Sequence, residues 1–362
     1  MSWISHERER ILHPPELRPD ILFYRIVETW RKVKDWFYAR HESCTFADND
    51  WIRSVTVPKI SLGSWAFSFG PFEKSPWAFE RFCEYASANG YDGVEINGFR
   101  PHPHDEDFTS TSVADLRSRI AGLGLGISGY APDLRTTPPA EVPEAVYLAR
   151  MASIAKFCEG MEISTVRVDT ITPPTGPSVM SAGDAYKQLV RVWQRSADDL
   201  AASGIDLVWE FEPGFWLNRP SQVKRLVEDV DRPNFGLLFD SSHAHTGAAY
   251  GARQGASPEI LTGGAVEYAA MLADNVRHLH LIDSDGSLHD DDTSEHLPFG
   301  VGEVDFPALL DALGVVAAHL EWWTVDFCFC PTTERDAKLA VPIVCDLRDQ
   351  FLDRMSNLGV KN

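Results

Sequence analysis

Three residues able to bind a cation or move a proton stand where apolar runs stop. Glu210 closes Leu207-Val208-Trp209, Asp240 closes Leu237-Leu238-Phe239, and His280 sits inside the run from Arg277 to Asp283. A charged group at the end of a buried apolar segment needs a partner, because leaving it unpaired costs on the order of several kcal/mol. A metal ion would be such a partner. A fourth donor is offered by 320–327, where Glu321 and Asp326 have opposite parity and so lie on opposite faces of a strand. Asp326 is preferred, since it follows Trp322-Trp323-Thr324-Val325 whereas Glu321 lies near the segment's start. Three carboxylates with one imidazole form a hard, oxygen-rich set that suits Mn²⁺ first, with Mg²⁺ or Co²⁺ as alternatives and structural zinc less so.

For these four residues to meet, the segments carrying them must be neighbouring strands whose carboxyl ends converge. From Lys59 onward, short β-rich runs at 60–66, 93–96, 126–130, 165–169, 206–211, 235–240, 276–282 and 320–327 alternate with stretches of helical periodicity. The clearest helices fall at 76–89, 143–158, 185–203, 220–230 and 265–272. Eight such pairs predict an α/β chain folded as a single (β/α)₈ TIM barrel over 59–362, with active-site loops at the carboxyl ends of the strands. Residues 1–58 do not share that rhythm and read as an N-terminal helical extension. Within it, 20–40 mixes Trp, Phe, Tyr, Leu, Ile and Val with basic side chains, as an amphipathic helix would when lying on the barrel or on a neighbouring subunit. Loops rich in Pro, Ser, Thr and Gly at 136–142, 172–181 and 251–264 suit enclosure of a substrate.

The balance of charge narrows the partners. A formal net charge of −20 and a pI near 4.9 oppose nucleic acid and anionic membrane surfaces. The opening MSWISHERER has no apolar h-region, and no uncharged apolar run reaches the ~18 residues that span a bilayer; a cytoplasmic location is expected. The 6 cysteines form no C-x-x-C pair and read as reduced thiols, with Cys328 and Cys330 as small packing groups.

The segment His278-Leu279-His280-Leu281-Ile282-Asp283, followed by Leu297-Pro298-Phe299-Gly300-Val301-Gly302-Glu303-Val304-Asp305-Phe306, resembles the sugar isomerase/epimerase family of xylose isomerase-like TIM barrels. That family's Glu six residues after a Gly on strand five is matched by Gly204 and Glu210, and its Asp-x-x-His on strand six by Asp240 and His243. The resemblance spans about 59–355. It implies a metal held by Glu210, Asp240, His280 and Asp326, with Glu210 as proton acceptor and Asp326 as the weaker candidate for returning the proton. Two departures stand out: the fourth ligand is commonly Glu where this chain has Asp326, and the Arg that ketose epimerases carry past the strand-seven His has no counterpart, since 281–300 holds no Lys or Arg. That stretch instead carries Asp283, Asp285, His289, Asp290, Asp291, Asp292, Glu295 and His296, which read as a solvated acidic loop.

Other residues fill supporting positions. His243 and His245 alternate after Asp240, with His243 facing substrate and His245 either a leaving-group acid or structural. Arg167 and Asp169 share a face near the end of strand four and form a barrel ion pair or a sugar clamp. Trp65, Phe215 and Trp216 fall at strand ends where a sugar face could stack. Glu95, inside strand two, would support the site by hydrogen bonds, and His102 and His104 lie in a Pro-rich loop where exposure is the default.

A cation chelating a carbonyl and its neighbouring hydroxyl acidifies the proton between them, which gives sugar isomerisation or epimerisation through an enediolate. The same enolisation gives β-elimination when a leaving group stands one carbon beyond. C-glycoside deglycosidase catalytic subunits acting on 3-oxo-glycosides look similar to this barrel, and that likeness implies a metal-dependent lyase with His243 or His245 as acid and a small partner subunit on the N-terminal segment. A non-catalytic sugar-binding barrel is the reading from another class. The expected partner is a small sugar or glycoside, and the expected assembly a homo-oligomer.

Overall fold

The computed structural model describes residues 57–289 and 293–357; the predicted extension over 1–58 lies almost wholly outside them. Eight strands, β1 (Lys59–Gly63), β2 (Gly93–Gly98), β3 (Gly126–Pro132), β4 (Thr165–Val168), β5 (Asp206–Glu210), β6 (Phe235–Asp240), β7 (Val276–Leu281) and β8 (Trp322–Val325), pair in sequence order into a closed parallel barrel. The helices between and after them are α1 (Phe79–Ala88), α2 (Ser110–Gly122), α3 (Glu144–Met161), α4 (Ala182–Ala201), α5 (Pro220–Val230), α6 (Ser241–Tyr250), α7 (Gly264–Leu272), α8 (Phe306–Leu313), α9 (Val315–His319) and α10 (Thr333–Asn357). No helix among the described residues is long and apolar enough to cross a membrane.

The elements follow from local chemistry. Helix α4 starts where the Ser181 hydroxyl accepts from the backbone N–H of Asp184, and it buries Ala185, Leu189, Val192, Trp193, Ala197 and Leu200 at helical spacing against the sheet. Helix α2 is harder to read from sequence, because only Val113, Leu116 and Ile120 are buried in a run of small and charged residues. Two predicted strands shorten by more than one residue. The chain leaves β1 at Gly63 for a 3₁₀ turn over Ser64–Phe67, and the Trp65 ring folds back on Gly63 so closely that a Cβ there would stand 2.6 Å from it. Strand β8 keeps only Trp322–Val325 of the run 320–327.

Register sets the height of each inward side chain. Asp240 pairs with His280 across β6 and β7, His280 pairs with Thr324 across β7 and β8, and Ser61 pairs with Thr324 across β1 and β8. One level of the interior is therefore polar on four adjacent strands.

His102, expected at the surface, is 2% exposed. Its Nε2 lies 3.1 Å from the Trp77 carbonyl and its ring packs against Phe79 and Phe82. Burial pushes this imidazole down to about 4, although the Trp77 carbonyl opposes the shift. The unfolded chain, with a histidine near ~6.5, binds the proton first. Stability from neutral His102 is thus complete above that value and lost as pH falls toward the folded pKa. The stability gap between wild type and His102→Gln should narrow by roughly 2–3 kcal/mol between pH 7 and pH 4. Urea midpoints across that range check it, and a constant gap would remove His102 from the acid response.

Candidate active site

Glu210, Asp240 and His280 end or nearly end their strands, and Asp326 follows β8 directly, so the barrel brings all four to one mouth. One donor atom from each lies within 4.8 Å of the others. His280 Nδ1 is 3.0 Å from Glu210 Oε1, 3.8 Å from Asp240 Oδ2 and 3.7 Å from Asp326 Oδ2. All four side chains are buried. Glu321 is not at this mouth; it pairs with Lys59 at the opposite end of β8, more than half exposed.

Several of these atoms lack hydrogen bonds. Both Glu210 oxygens, Asp240 Oδ2 and His280 Nδ1 are buried with no hydrogen-bond partner among the described residues; Glu210 Oε1 near His280 and Glu210 Oε2 near Arg167 are at ion-pair distances without hydrogen-bond alignment. Buried polar atoms are ordinarily paired, and orphans that converge on one point mark a place for a ligand. A divalent cation fits this donor set, with three carboxylate oxygens and one imidazole nitrogen.

Neighbours fix each of the four. Asp240 Oδ1 caps α6 by accepting from the backbone N–H of His243 at 2.8 Å, which leaves Oδ2 free to face the cluster. Asp326 Oδ1 accepts from the backbone N–H of Cys328 at 2.7 Å and from the Trp65 indole. Burial raises the Asp326 pKa, but His296 and His280 bring it well below the usual carboxylate range. Burial likewise opposes ionisation of Glu210, yet Arg167 and then His280 hold it down to about 2. Arg167 spreads its guanidinium over Asp169 at 3.2 Å, Glu210 at 2.7 Å and Glu212 at 2.7 Å. It is thus an ion-pair hub rather than an isolated clamp. Trp65 lies against His280, ring centroids 5.3 Å apart, and beneath Arg167.

His243 and His245 diverge. The chain after Asp240 is helix from Ser241, not strand, so positions two apart are rotated by about 200°. His243 Nε2 comes to 3.9 Å from Glu210 Oε1, while His245 Nε2 faces Glu303 at 3.8 Å and stands outside the cluster. Trp216 is half-buried against the 170–176 loop, where its backbone accepts from Thr170 and donates to Thr172, and its indole lies beside Gly176.

Two residues of the site escaped the sequence reading. His296, taken for part of a solvated loop, is 2% exposed, with Nδ1 3.7 Å from Asp326 Oδ1 and its ring 5.4 Å from that of His243. Neither of its nitrogens has a hydrogen-bond partner among the described residues. Burial lowers its pKa, but Asp326 overrides this and lifts it to about 9. Glu212 accepts from Thr293 at 2.9 Å and is pushed up to about 8 by burial, with Asp169 and Glu210 adding to the rise against Arg167. Its signal was the spacing Glu-x-Glu at the end of strand five.

The loop carrying His296 is held from within. Asp283 accepts from the backbone N–H groups of Ser284, Gly300, Gly302 and Val304 at 2.8–3.1 Å. A Cβ on Gly302 would stand 2.4 Å from Asp283 Oδ1, so the glycine is what lets the backbone approach. The Gly-Val-Gly-Glu-Val run is therefore a carboxylate cradle. Asp290, Asp291 and Asp292 lie outside the described residues.

A family model described as xylose isomerase-like TIM barrel matches residues 83–336, well over half of the chain and every strand from β2 to β8. The protein belongs to that family. Among its relatives, fructoselysine 3-epimerase of Shigella flexneri is 24% identical over 216 residues, covering 56% of this chain and 70% of its own. The solved structure of an L-ribulose 3-epimerase superposes with a TM-score of 0.61 at 16% identity, over 83% of this chain and 98% of that one. The IOLI protein, solved with a binding zinc atom, does so at 0.59 and 17% identity, over 82% and 99%. These structural likenesses establish that the xylose isomerase-like barrel is shared.

Proposed function

We propose that this chain is a divalent-metal-dependent sugar epimerase or isomerase that removes a proton next to a substrate carbonyl and passes through an enediolate. The observation that carries the reading is the convergence on one point of buried Glu210, Asp240, His280 and Asp326, with Glu210, Asp240 and His280 each turning to it an atom that makes no hydrogen bond. The epimerase names of the relatives support the substrate class. Glu210, Asp240, His280 and Asp326 would hold the cation, Mn²⁺ first by the hardness of the set, with Mg²⁺ or Co²⁺ as alternatives. Bound there, the ion supplies Lewis acidity toward a carbonyl and its neighbouring hydroxyl.

The chain's own residues do the rest. Glu210, kept ionised by the Arg167 guanidinium 2.7 Å away, accepts the carbon-bound proton. Asp326, whose Oδ1 is tied to Cys328 and Trp65, would return a proton only after receiving one from its neighbour His296, whose Nδ1 lies 3.7 Å from Oδ1 and whose pKa is lifted to about 9. His243, oriented by Ser294 Oγ at 2.7 Å from Nδ1, turns Nε2 to the same space and can bind a substrate hydroxyl. Trp65 and Arg167 form a wall beside His280.

Elemental analysis of wild type and His280→Ala, followed by proton exchange from ketoses and 3-oxo-glycosides in D₂O, tests the proposal. Near-stoichiometric Mn²⁺ or a similar cation, lost in the variant, with metal-dependent exchange is the expected result. An epimer or isomer as product would establish the isomerase outcome; release of a leaving group would instead establish β-elimination. No bound metal and no exchange would leave a barrel whose acidic mouth is structural.

A further inference from the structure

Glu95 lies inside the barrel on β2, 1% exposed. Its Oε2 alone faces three donors: His278 Nε2 at 2.6 Å, His280 Nε2 at 3.2 Å and Thr324 Oγ1 at 3.0 Å. Thr324 Oγ1 is in turn 2.8 Å from Ser61 Oγ. The other nitrogen of His280, Nδ1, is the one turned to Glu210, Asp240 and Asp326. We propose that Glu95 is a positioning residue that fixes His280 in the tautomer protonated on Nε2, so that the Nδ1 lone pair is presented to the cation. This inference rests on the metal-binding reading above.

The argument is one of charge and geometry. A neutral imidazole carries one N–H and one lone pair, and which nitrogen has which is set by the partner of the other. Were the proton on Nδ1, the Nε2 lone pair would face the Glu95 carboxylate and repel it. A carboxylate, unlike an amide, offers no donor and cannot accommodate that tautomer by turning over. Room for the arm is provided by Gly129 on the adjacent strand, where a Cβ would stand 3.3 Å from the Glu95 carboxyl carbon.

Mn²⁺ titration of metal-free wild type, Glu95→Gln and Thr324→Val tests this. The Glu95→Gln variant keeps the shape but can present an N–H to His280, and its dissociation constant for Mn²⁺ should rise roughly 10–100-fold. The Thr324→Val variant removes another partner of Glu95 but none of the hydrogen bonds of the His280 ring, and its constant should stay within about threefold of wild type by the same reasoning. Equal weakening in both variants would make the effect one of packing and overturn the inference, as would wild-type affinity in Glu95→Gln. If Glu95→Gln fails to fold, long-range ¹H–¹⁵N spectra of wild type loaded with Mg²⁺ decide: protonation of His280 on Nε2 supports the inference and protonation on Nδ1 overturns it. Wild type that binds neither ion overturns the metal-binding reading itself, whereas binding by wild type that Glu95→Gln leaves unchanged overturns only the role of Glu95.

Discussion

Glu210→Gln is expected to reduce metal-dependent proton exchange by about 10³-fold, the scale on which a positioned base contributes. The amide is close in size to the carboxylate, and Arg167 retains Asp169 and Glu212 as anionic partners. Asp240, His280 and Asp326 remain as donors for the cation. Cation binding should therefore weaken while the barrel stays folded, and saturating Mn²⁺ should not restore exchange. Deuterium incorporation followed by NMR at several Mn²⁺ concentrations reads the two effects separately. Recovery to within tenfold of wild type at high Mn²⁺ would make Glu210 a ligand only and move the base elsewhere.

The second large effect is structural and arises next to the site. Asp283→Ala removes one carboxylate that serves four backbone N–H groups, those of Ser284, Gly300, Gly302 and Val304. Asp283 is 2% exposed, and buried donors left without an acceptor carry their full desolvation cost. A loss of about 3–5 kcal/mol is expected, in the range reached when a buried polar network is broken. The denaturant midpoint should fall accordingly, and limited proteolysis should cut first between Ser284 and Asp305. Asp283→Asn, which keeps one acceptor oxygen, should fall between variant and wild type. A midpoint change below about 1 kcal/mol for the alanine variant would show that the loop holds its shape without the carboxylate.

The parts legible in the sequence were those written by periodicity. Glu210, Asp240 and His280 could be read as converging because each interrupts an apolar run at the end of a strand, and parallel strands of a closed barrel bring their ends together. The preference for Asp326 over Glu321 rested on the same logic, and the structure puts the two at opposite ends of β8. His296 and Asp283 were misread because a loop has no period; nothing in a run of acidic residues says which side chain turns inward. His243 and His245 look equivalent under strand alternation, but the chain has already begun a helix capped by Asp240, so the two point in different directions. Glu212 stood two residues from Glu210 and shared its face, but its part in the site depends on Arg167 reaching from the neighbouring strand.

The polar stack of Ser61, Thr324, Glu95 and His278 also bears on how the barrel closes. Strands β1 and β8 meet at the seam of the sheet, and the Ser61–Thr324 hydrogen bond joins positions 263 residues apart. A contact of that span is among the last to form, since loop closure must be completed before it stabilises anything. At such a joint, hydrophobic residues alone would accept neighbouring alignments of β8 almost equally. A slip by one residue would turn Trp323 or Val325 inward in place of Thr324 and leave Glu95, Ser61 and His278 without their common partner. The buried hydroxyl-carboxylate stack thus acts as a key for the final strand, admitting one alignment and rejecting its neighbours before any substrate is present.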